Sequence, residues 1–156
     1  FCEIYVTLNI QKKGGNFIIK LFDLFNYRTI QLIYLLYCHY SYIEFYKPST
    51  SRNSNSEKYL ICTGFNGCSK EVKETLETYY NDPDKLYLDI PTTFIDEINK
   101  YNELFVKNQI ETINKNIEII QNKRIIKTPT INQIKIAQRW CELYELPVNK
   151  GCIYLN

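Results

Sequence analysis

Between the paired glycines Gly14–Gly15 and Asp23 runs FIIKLF (17–22), and no other stretch restricts the fold of this chain as strongly. Apolar residues fall on both parities (Phe17, Ile18, Ile19, Leu21, Phe22), so the segment reads as a β-strand covered on both faces, the pattern of parallel sheets in α/β proteins. Lys20 interrupts that pattern. An ammonium inside such a strand costs on the order of several kcal/mol unless it is paired. Two readings of Lys20 stand open: its head reaches solvent past the end of the strand, or a carboxylate from another strand meets it. Glu57, near the end of the polar stretch KPSTSRNSNSEKY (47–59), is available for the second.

The flanking sequence supplies the rest of an α/β pattern. Residues 1–12 place Ile4 and Leu8 on one helical face and run into Gly14–Gly15, which suits a helix end. A strand follows over 16–22. Asn26 is an N-cap for a helix to about Tyr40, whose Ile30, Ile33, Tyr34, Leu36 and Tyr37 form a broad apolar stripe fit for a sheet face. YIEFYK (42–47) and EKYLICTGF (57–65) read as strands of a terminal hairpin, joined by Pro48 and a run of Ser, Thr, Arg and Asn.

From Ser69 onward the character is helical. Ser69 caps a short amphipathic helix over 69–80, broken at Pro83. Pro91 opens a long helix to about Gln121, with Phe94, Ile98, Leu104 or Phe105, Ile113, Ile117 and Ile120 at helical spacing. A basic loop, KRIIKTPT (123–130), leads to a last helix that starts at the capping box Thr130–Gln133 and runs to Glu145.

Composition limits the function classes. A chain of 156 residues, 45% hydrophobic, builds one core of ordinary size with at most an appendage. Its net charge of +2 creates no global basic field, so any contact with nucleic acid has to come from a local patch. The six cysteines include no CxxC pair, and Cys38 and Cys62 sit in apolar runs where a reduced thiol behaves as a small hydrophobe, so a reducing compartment is expected. One histidine and no Cys/His cluster argue against a metal site. No apolar run reaches the roughly 20 residues of a membrane span. The chain begins at Phe1 and has no Met, which reads as an internal or C-terminal piece of something longer. No GxGxxG opens a helix after a strand; Gly64–Phe65–Asn66–Gly67 reads as a strand-to-helix turn. The tyrosines of the helices at 27–40 and 69–80 fall at core-facing spacing and read as packing residues.

In an open α/β sheet, ligands bind beyond the carboxyl ends of the strands, and Lys20 lies toward that end of its strand. If the hairpin strand returns beside it, Glu57 meets Lys20. A carboxylate alone raises a lysine pKa above its reference of about 10.4, whereas a general base near neutral pH needs it lowered. A second cation or desolvation is therefore required, and no cation of this chain is an obvious candidate.

GGNFIIKLFDLFNYRTIQLIYLLY (14–37) followed by FYKPSTSRNSNSEKYLICTGF (45–65) resembles the C-terminal half of the FtsJ/RrmJ-type ribose 2'-O-methyltransferases. Within that superfamily it is most similar to the mRNA cap-1 enzymes of eukaryotes and their relatives in large DNA viruses. The likeness runs to about residue 66 and continues more loosely through RWCELYELP (139–147). It implies the second half of a Rossmann-like sheet (1–66) followed by a helical extension (67–156), with S-adenosylmethionine as methyl donor and a Lys-Asp-Lys-Glu tetrad. On matching positions Lys20 is the second lysine, the acceptor of the ribose 2'-hydroxyl proton, and Glu57 is the terminal glutamate. The first lysine, the aspartate and the glycine-rich donor loop have no counterpart here and are expected upstream of Phe1.

Ser51, Arg52 and Asn55 match positions at which the family contacts the nucleotide, and small polar side chains with an arginine suit phosphate and ribose oxygens. Lys47 reads equally as an edge-strand lysine that blunts aggregation. The implied activity is methylation of the 2'-hydroxyl of the first transcribed nucleotide of capped mRNA. The implied partner is the capped 5' end, with no metal and no membrane, in the cytoplasm or nucleus, or in a viral factory or virion for a viral relative. Two alternatives stand beside it: a non-catalytic RNA-binding or scaffold segment derived from such an enzyme, and a 2'-O-methyltransferase acting on ribosomal or transfer RNA.

Overall fold

A computed structural model describes residues 1–82, 88–122 and 128–155; the expected break at Pro83 and residues 123–127 of the basic loop lie outside the described residues. The chain divides into two compact units, Phe1–Asn114 and Lys115–Asn156.

The first unit is built on a three-stranded sheet. Helix α1 (Cys2–Ile10) precedes strand β1 (Phe17–Leu21), helix α2 (Tyr27–His39) follows it, and β2 (Tyr40–Tyr46) and β3 (Lys58–Phe65) form the hairpin. The order across the sheet is β1-β3-β2, with β3 antiparallel to both neighbours. The returning hairpin strand therefore inserts beside β1, with Lys20 opposite Tyr59 and Leu21 opposite Lys58.

This topology corrects one expectation. β1 is covered on one face only: Ile19 is buried while Ile18, Lys20 and Phe22 are exposed. The strand pairs with β3 alone, and the pleat sends alternate side chains to opposite faces. Helix α2 packs against β2 and β3 on the other face. Its Ile30, Ile33, Leu35 and Leu36 join Ile19, Leu60 and Cys62 in a continuous core with Ile4 and Leu8 of α1. Asn26 caps α2 as its sequence predicts, its side-chain oxygen accepting from the Arg28 N–H at 2.8 Å. The Gly14–Gly15 turn is tied to the far end of β3 by Gly14 N to Phe65 O at 2.7 Å and Phe65 N to Gly15 O at 2.9 Å. Gly14 needs its freedom there, with φ of 80°.

Helix α3 (Lys70–Asn81) is capped by Ser69, whose oxygen accepts from Val72 N, and it buries Leu76 and Tyr79. Tyr79 meets the Phe1 ring edge-on, while Tyr80 is exposed and stacks on Tyr5. Tyr37, expected in the core stripe of α2, is also exposed, although both it and Tyr34 lie against Phe94.

Helix α4 (Thr92–Gln121) begins just after Pro91, whose carbonyl accepts from Phe94 N at 3.0 Å. Ile98 is buried, and Phe94, Ile95 and Tyr101 pack on the core. Of the pair left open, Phe105 turns inward and Leu104 is exposed. Cys62 is buried but Cys38 is exposed, so the apolar run around Cys38 wraps the helix rather than enclosing it.

In the second unit, helix α5 (Ile131–Leu143) starts at the expected capping box: Gln133 N donates to Thr130 Oγ1 at 3.2 Å and Thr130 N donates to Gln133 Oε1 at 2.8 Å. Trp140 lies against Tyr144, with ring centroids 5.0 Å apart. No residue of α5 is buried.

Candidate active site

The carboxyl ends of β1 and β2 and the amino end of β3 meet at one edge of the sheet, where the polar 47–57 loop closes over them. Glu57 stands one residue before β3 and Tyr59 two residues after it, so the pleat sends both side chains to the face that carries Lys20. Lys20 Nζ lies 3.3 Å from Glu57 Oε1. The two open readings of Lys20 combine: the head keeps solvent contact, its side chain 46% exposed, and also pairs with a carboxylate that is only 21% exposed. The Phe22 ring lies 5.3 Å from the same ammonium.

Glu57 is held from three sides. Tyr59 OH donates to Oε1 at 2.8 Å, Asn55 Nδ2 donates to Oε2 at 3.4 Å, and Lys20 supplies the charge. These groups hold its carboxyl below the usual range, the Tyr59 hydroxyl contributing most, against an opposing push from burial. The same contact raises the Tyr59 phenol, because a phenolate beside the carboxylate is disfavoured.

Lys47 organises the loop. Its Nζ donates to Glu57 O at 2.7 Å, Asn55 Oδ1 at 2.9 Å, and Ser51 Oγ and Asn55 O at 3.2 Å each. Partial burial lowers its pKa. Ser51 Oγ in turn donates to Asn55 Oδ1 at 3.4 Å, and Glu57 N donates to the same oxygen at 3.3 Å. Asn55 is thus fixed by its acceptor end on Lys47 and the loop, with its amide turned to Glu57.

Of the residues singled out in the sequence, Lys20, Glu57, Asn55 and Ser51 come together in this network. Arg52 does not. Its backbone carbonyl accepts from Asn55 N at 3.2 Å, and the residue is exposed on the loop.

Among the described residues the buried lysine is Lys58, 2% exposed. Its Nζ donates to Phe22 O and to Ser56 O, the latter at 2.9 Å, which fastens the end of β1 to the loop just past the strand ladder. Burial pushes its pKa down, against a raising influence from Asp23. Sequence reasoning missed both Lys58 and Tyr59, although strand alternation from Glu57 puts Tyr59 on the Lys20 face and Lys58 on the core face.

At the glycines nearest a nucleotide-loop pattern, a Cβ at Gly64 would meet Ser41 Oγ at 3.0 Å, and one at Gly67 would meet only the flexible end of the Lys13 side chain, at 2.7 Å. Among the described residues no group of three or more His, Cys, Asp or Glu side chains converges on a metal position, and no helix is long and apolar enough to cross a membrane.

The amine and the carboxylate are paired at the carboxyl end of β1, the end at which open α/β sheets bind their ligands. Residues 2–65 match the model of the FtsJ-like methyltransferase family.

The chain as a whole is homologous to cap-specific mRNA (nucleoside-2'-O-)-methyltransferase 1. It is 30% identical to the mouse protein over 94% of this chain and 32% identical to that of Caenorhabditis elegans over 78%. It is also 36% identical, over 70% of its length, to the inactive cap-specific mRNA (nucleoside-2'-O-)-methyltransferase 1B of Caenorhabditis briggsae. The chain spans about a fifth or less of these relatives: 19%, 15% and 14% of their respective lengths.

Proposed function

We propose that this chain is the nucleotide-facing part of a ribose 2'-O-methyltransferase acting on the first transcribed nucleotide of capped mRNA in the nucleus or cytoplasm. In this reading residues 1–66 are the second half of a Rossmann-like sheet, and 67–156 are its helical extension. The observation that carries the reading is the 3.3 Å approach of Lys20 to a carboxylate locked by Tyr59 and Asn55 at the carboxyl edge of the sheet.

Methyl transfer to a hydroxyl needs the oxygen's proton removed as the new bond forms. Lys20 Nζ takes that proton. Glu57 sets the direction of the amine and steadies the ammonium that results, while Asn55 and Ser51 bind nucleotide oxygens at the mouth of the loop. Arg52, exposed on the loop, suits a phosphate. The tetrad that the resemblance implies also holds a second lysine besides Lys20. The whole protein supplies that cation, and with it the aspartate of the tetrad.

S-adenosylmethionine is the methyl donor proposed for the whole protein, as is general for FtsJ-like methyltransferases. Its pocket is expected from the rest of the whole protein, since Gly64 and Gly67, the glycines nearest a nucleotide-loop pattern, leave no open space beside them.

A second reading, a non-catalytic RNA-binding segment, draws on the similarity to a relative named inactive. One experiment separates the two. Full-length protein incubated with capped RNA and labelled donor yields a nuclease-resistant 2'-O-methylated dinucleotide at the 5' end if the first reading holds. RNA binding without label, or label on ribosomal or transfer RNA alone, contradicts it.

A further inference from the structure

The loop that carries Ser51, Asn55 and Glu57 is not held by the sheet alone. Three residues of α4 spaced by three and four, Asn102, Phe105 and Gln109, share one helix face and reach the connections on either side of the Lys20–Glu57 pair. Asn102, buried in the core, donates its side-chain N–H to Leu24 O at 3.3 Å, anchoring the segment after β1. Gln109 Nε2 donates to Ser54 O at 3.2 Å, in the middle of the loop.

Between them the Phe105 ring serves two ammonium groups, with Lys58 Nζ 4.2 Å and Lys47 Nζ 5.3 Å from its centroid. Both fall inside the roughly 6 Å reach of a cation–π contact. These two lysines shape the site: Lys47 ties Ser51, Asn55 and Glu57 together, and Lys58 ties the end of β1 to Ser56. Like charges repel and both heads have lost water, so an aromatic face beside them offsets a cost that an aliphatic side chain would leave standing. A cavity of about 320 Å³, lined by Asp23, Leu24, Phe25 and Lys58 on one side and by α4 on the other, interrupts the packing here. The seat of the helix over the loop therefore rests on these few contacts.

All three residues lie outside the segment 2–65 that matches the methyltransferase family. We infer that α4 is a working part of the site: Phe105 and Gln109 are positioning residues that act through Lys47, Lys58 and Ser54 to hold the 47–57 loop in the form that offers Asn55 and Glu57 to a nucleotide. This inference deepens the proposed function and rests on its assignment of the loop to the nucleotide.

The test uses full-length protein carrying Phe105→Leu, Phe105→Tyr or Gln109→Ala. Three quantities are read: amide hydrogen exchange over 48–57, the Kd for capped RNA by fluorescence anisotropy, and kcat for methyl transfer. Phe105→Leu and Gln109→Ala are each expected to speed exchange in 48–57 at least tenfold, with α2 unchanged, to weaken RNA binding at least fivefold, and to lower kcat as well, because Glu57 sits at the end of the same loop. Phe105→Tyr, which keeps the ring, is expected to match the unaltered protein.

Unaltered exchange over 48–57 in both Phe105→Leu and Gln109→Ala overturns the inference. So does faster exchange with an unchanged Kd, or exchange speeded throughout the unit by Phe105→Leu while Gln109→Ala does nothing, since the ring would then only support the core. If the unaltered protein transfers no methyl group, the proposed function fails while exchange and Kd still decide the role of α4.

Discussion

Lys20 and Glu57 meet diagonally across two antiparallel strands, 3.3 Å apart, with Tyr59, the direct cross-strand partner of Lys20, bonded to the same carboxylate oxygen. Diagonal neighbours on one sheet face are within reach of long side chains, so the antiparallel return of β3 is what brings the pair together. The carboxylate is pinned and the amine is not. Glu57 has two hydrogen-bond donors besides Lys20, whereas among the described residues Lys20 rests on Glu57 and the face of Phe22. This asymmetry suits a lysine that changes its protonation beside a carboxylate that does not.

The hold on Glu57 is expected to show in its titration. Its folded pKa lies below the unfolded value of about 4.3, so the arrangement is fully present above that pH and is lost as pH falls through the folded pKa. Carboxyl-carbon NMR of the chain should place the Glu57 midpoint below that reference. Tyr59→Phe, which removes the leading single cause, and Lys20→Ala, which removes the charge, should each move the midpoint up; an unchanged midpoint in Tyr59→Phe would mean that the phenol does not hold the carboxylate.

Lys58 is expected to matter for folding. Lys58→Met keeps the stem but leaves the Phe22 and Ser56 carbonyls without their donor, a loss of about 1–3 kcal/mol in urea unfolding. Because burial depresses the lysine's pKa, the folded state binds fewer protons than the unfolded one, so this residue's contribution grows as pH rises toward about 10.4. The difference in stability between Lys58→Met and the unaltered chain should therefore widen from pH 7 to pH 10. A gap independent of pH would show that Lys58 keeps its ordinary pKa in the fold.

Cysteine reactivity should sort by burial. Enclosure pushes the Cys62 thiol up to about 12, while Cys2 and Cys38 are exposed. Iodoacetamide at pH 8 followed by mass spectrometry is expected to label Cys2 and Cys38 and to spare Cys62 until the protein is unfolded. A raised thiol pKa also means that the share of stability from Cys62 is complete below about 8.5 and declines as pH rises toward 12. Labelling of Cys62 at the rate of Cys38 in folded protein would contradict the observed core.

The segments of this fold that carry local signals were legible from the sequence. Asn26, Ser69 and the Thr130–Gln133 box each mark a helix start found in the structure, because a cap is written in one or two residues. The approach of Glu57 to Lys20 was legible as a condition, namely that the hairpin return beside β1.

What escaped depends on long-range placement. The burial of Lys58 follows from which face of β3 meets α2, and the choice of Phe105 over Leu104 follows from where α4 lands, neither of which a local window contains. Tyr59 was within reach, since alternation alone sets it beside Glu57; a tyrosine in an apolar strand reads first as packing. The same alternation undid the expectation of a strand buried on both faces, because β1 has one ladder partner and one covered face.

The central claim is that the Lys20 amine takes the proton from a ribose hydroxyl. The direct measurement is transfer of a tritiated methyl group to capped RNA by full-length protein carrying Lys20→Ala, with RNA binding followed in parallel. Loss of transfer by at least a thousandfold, about 4 kcal/mol of barrier, with binding kept within a few-fold is the predicted result. Transfer at the unaltered rate would remove Lys20 from the chemistry and leave its pairing with Glu57 a feature of the surface alone.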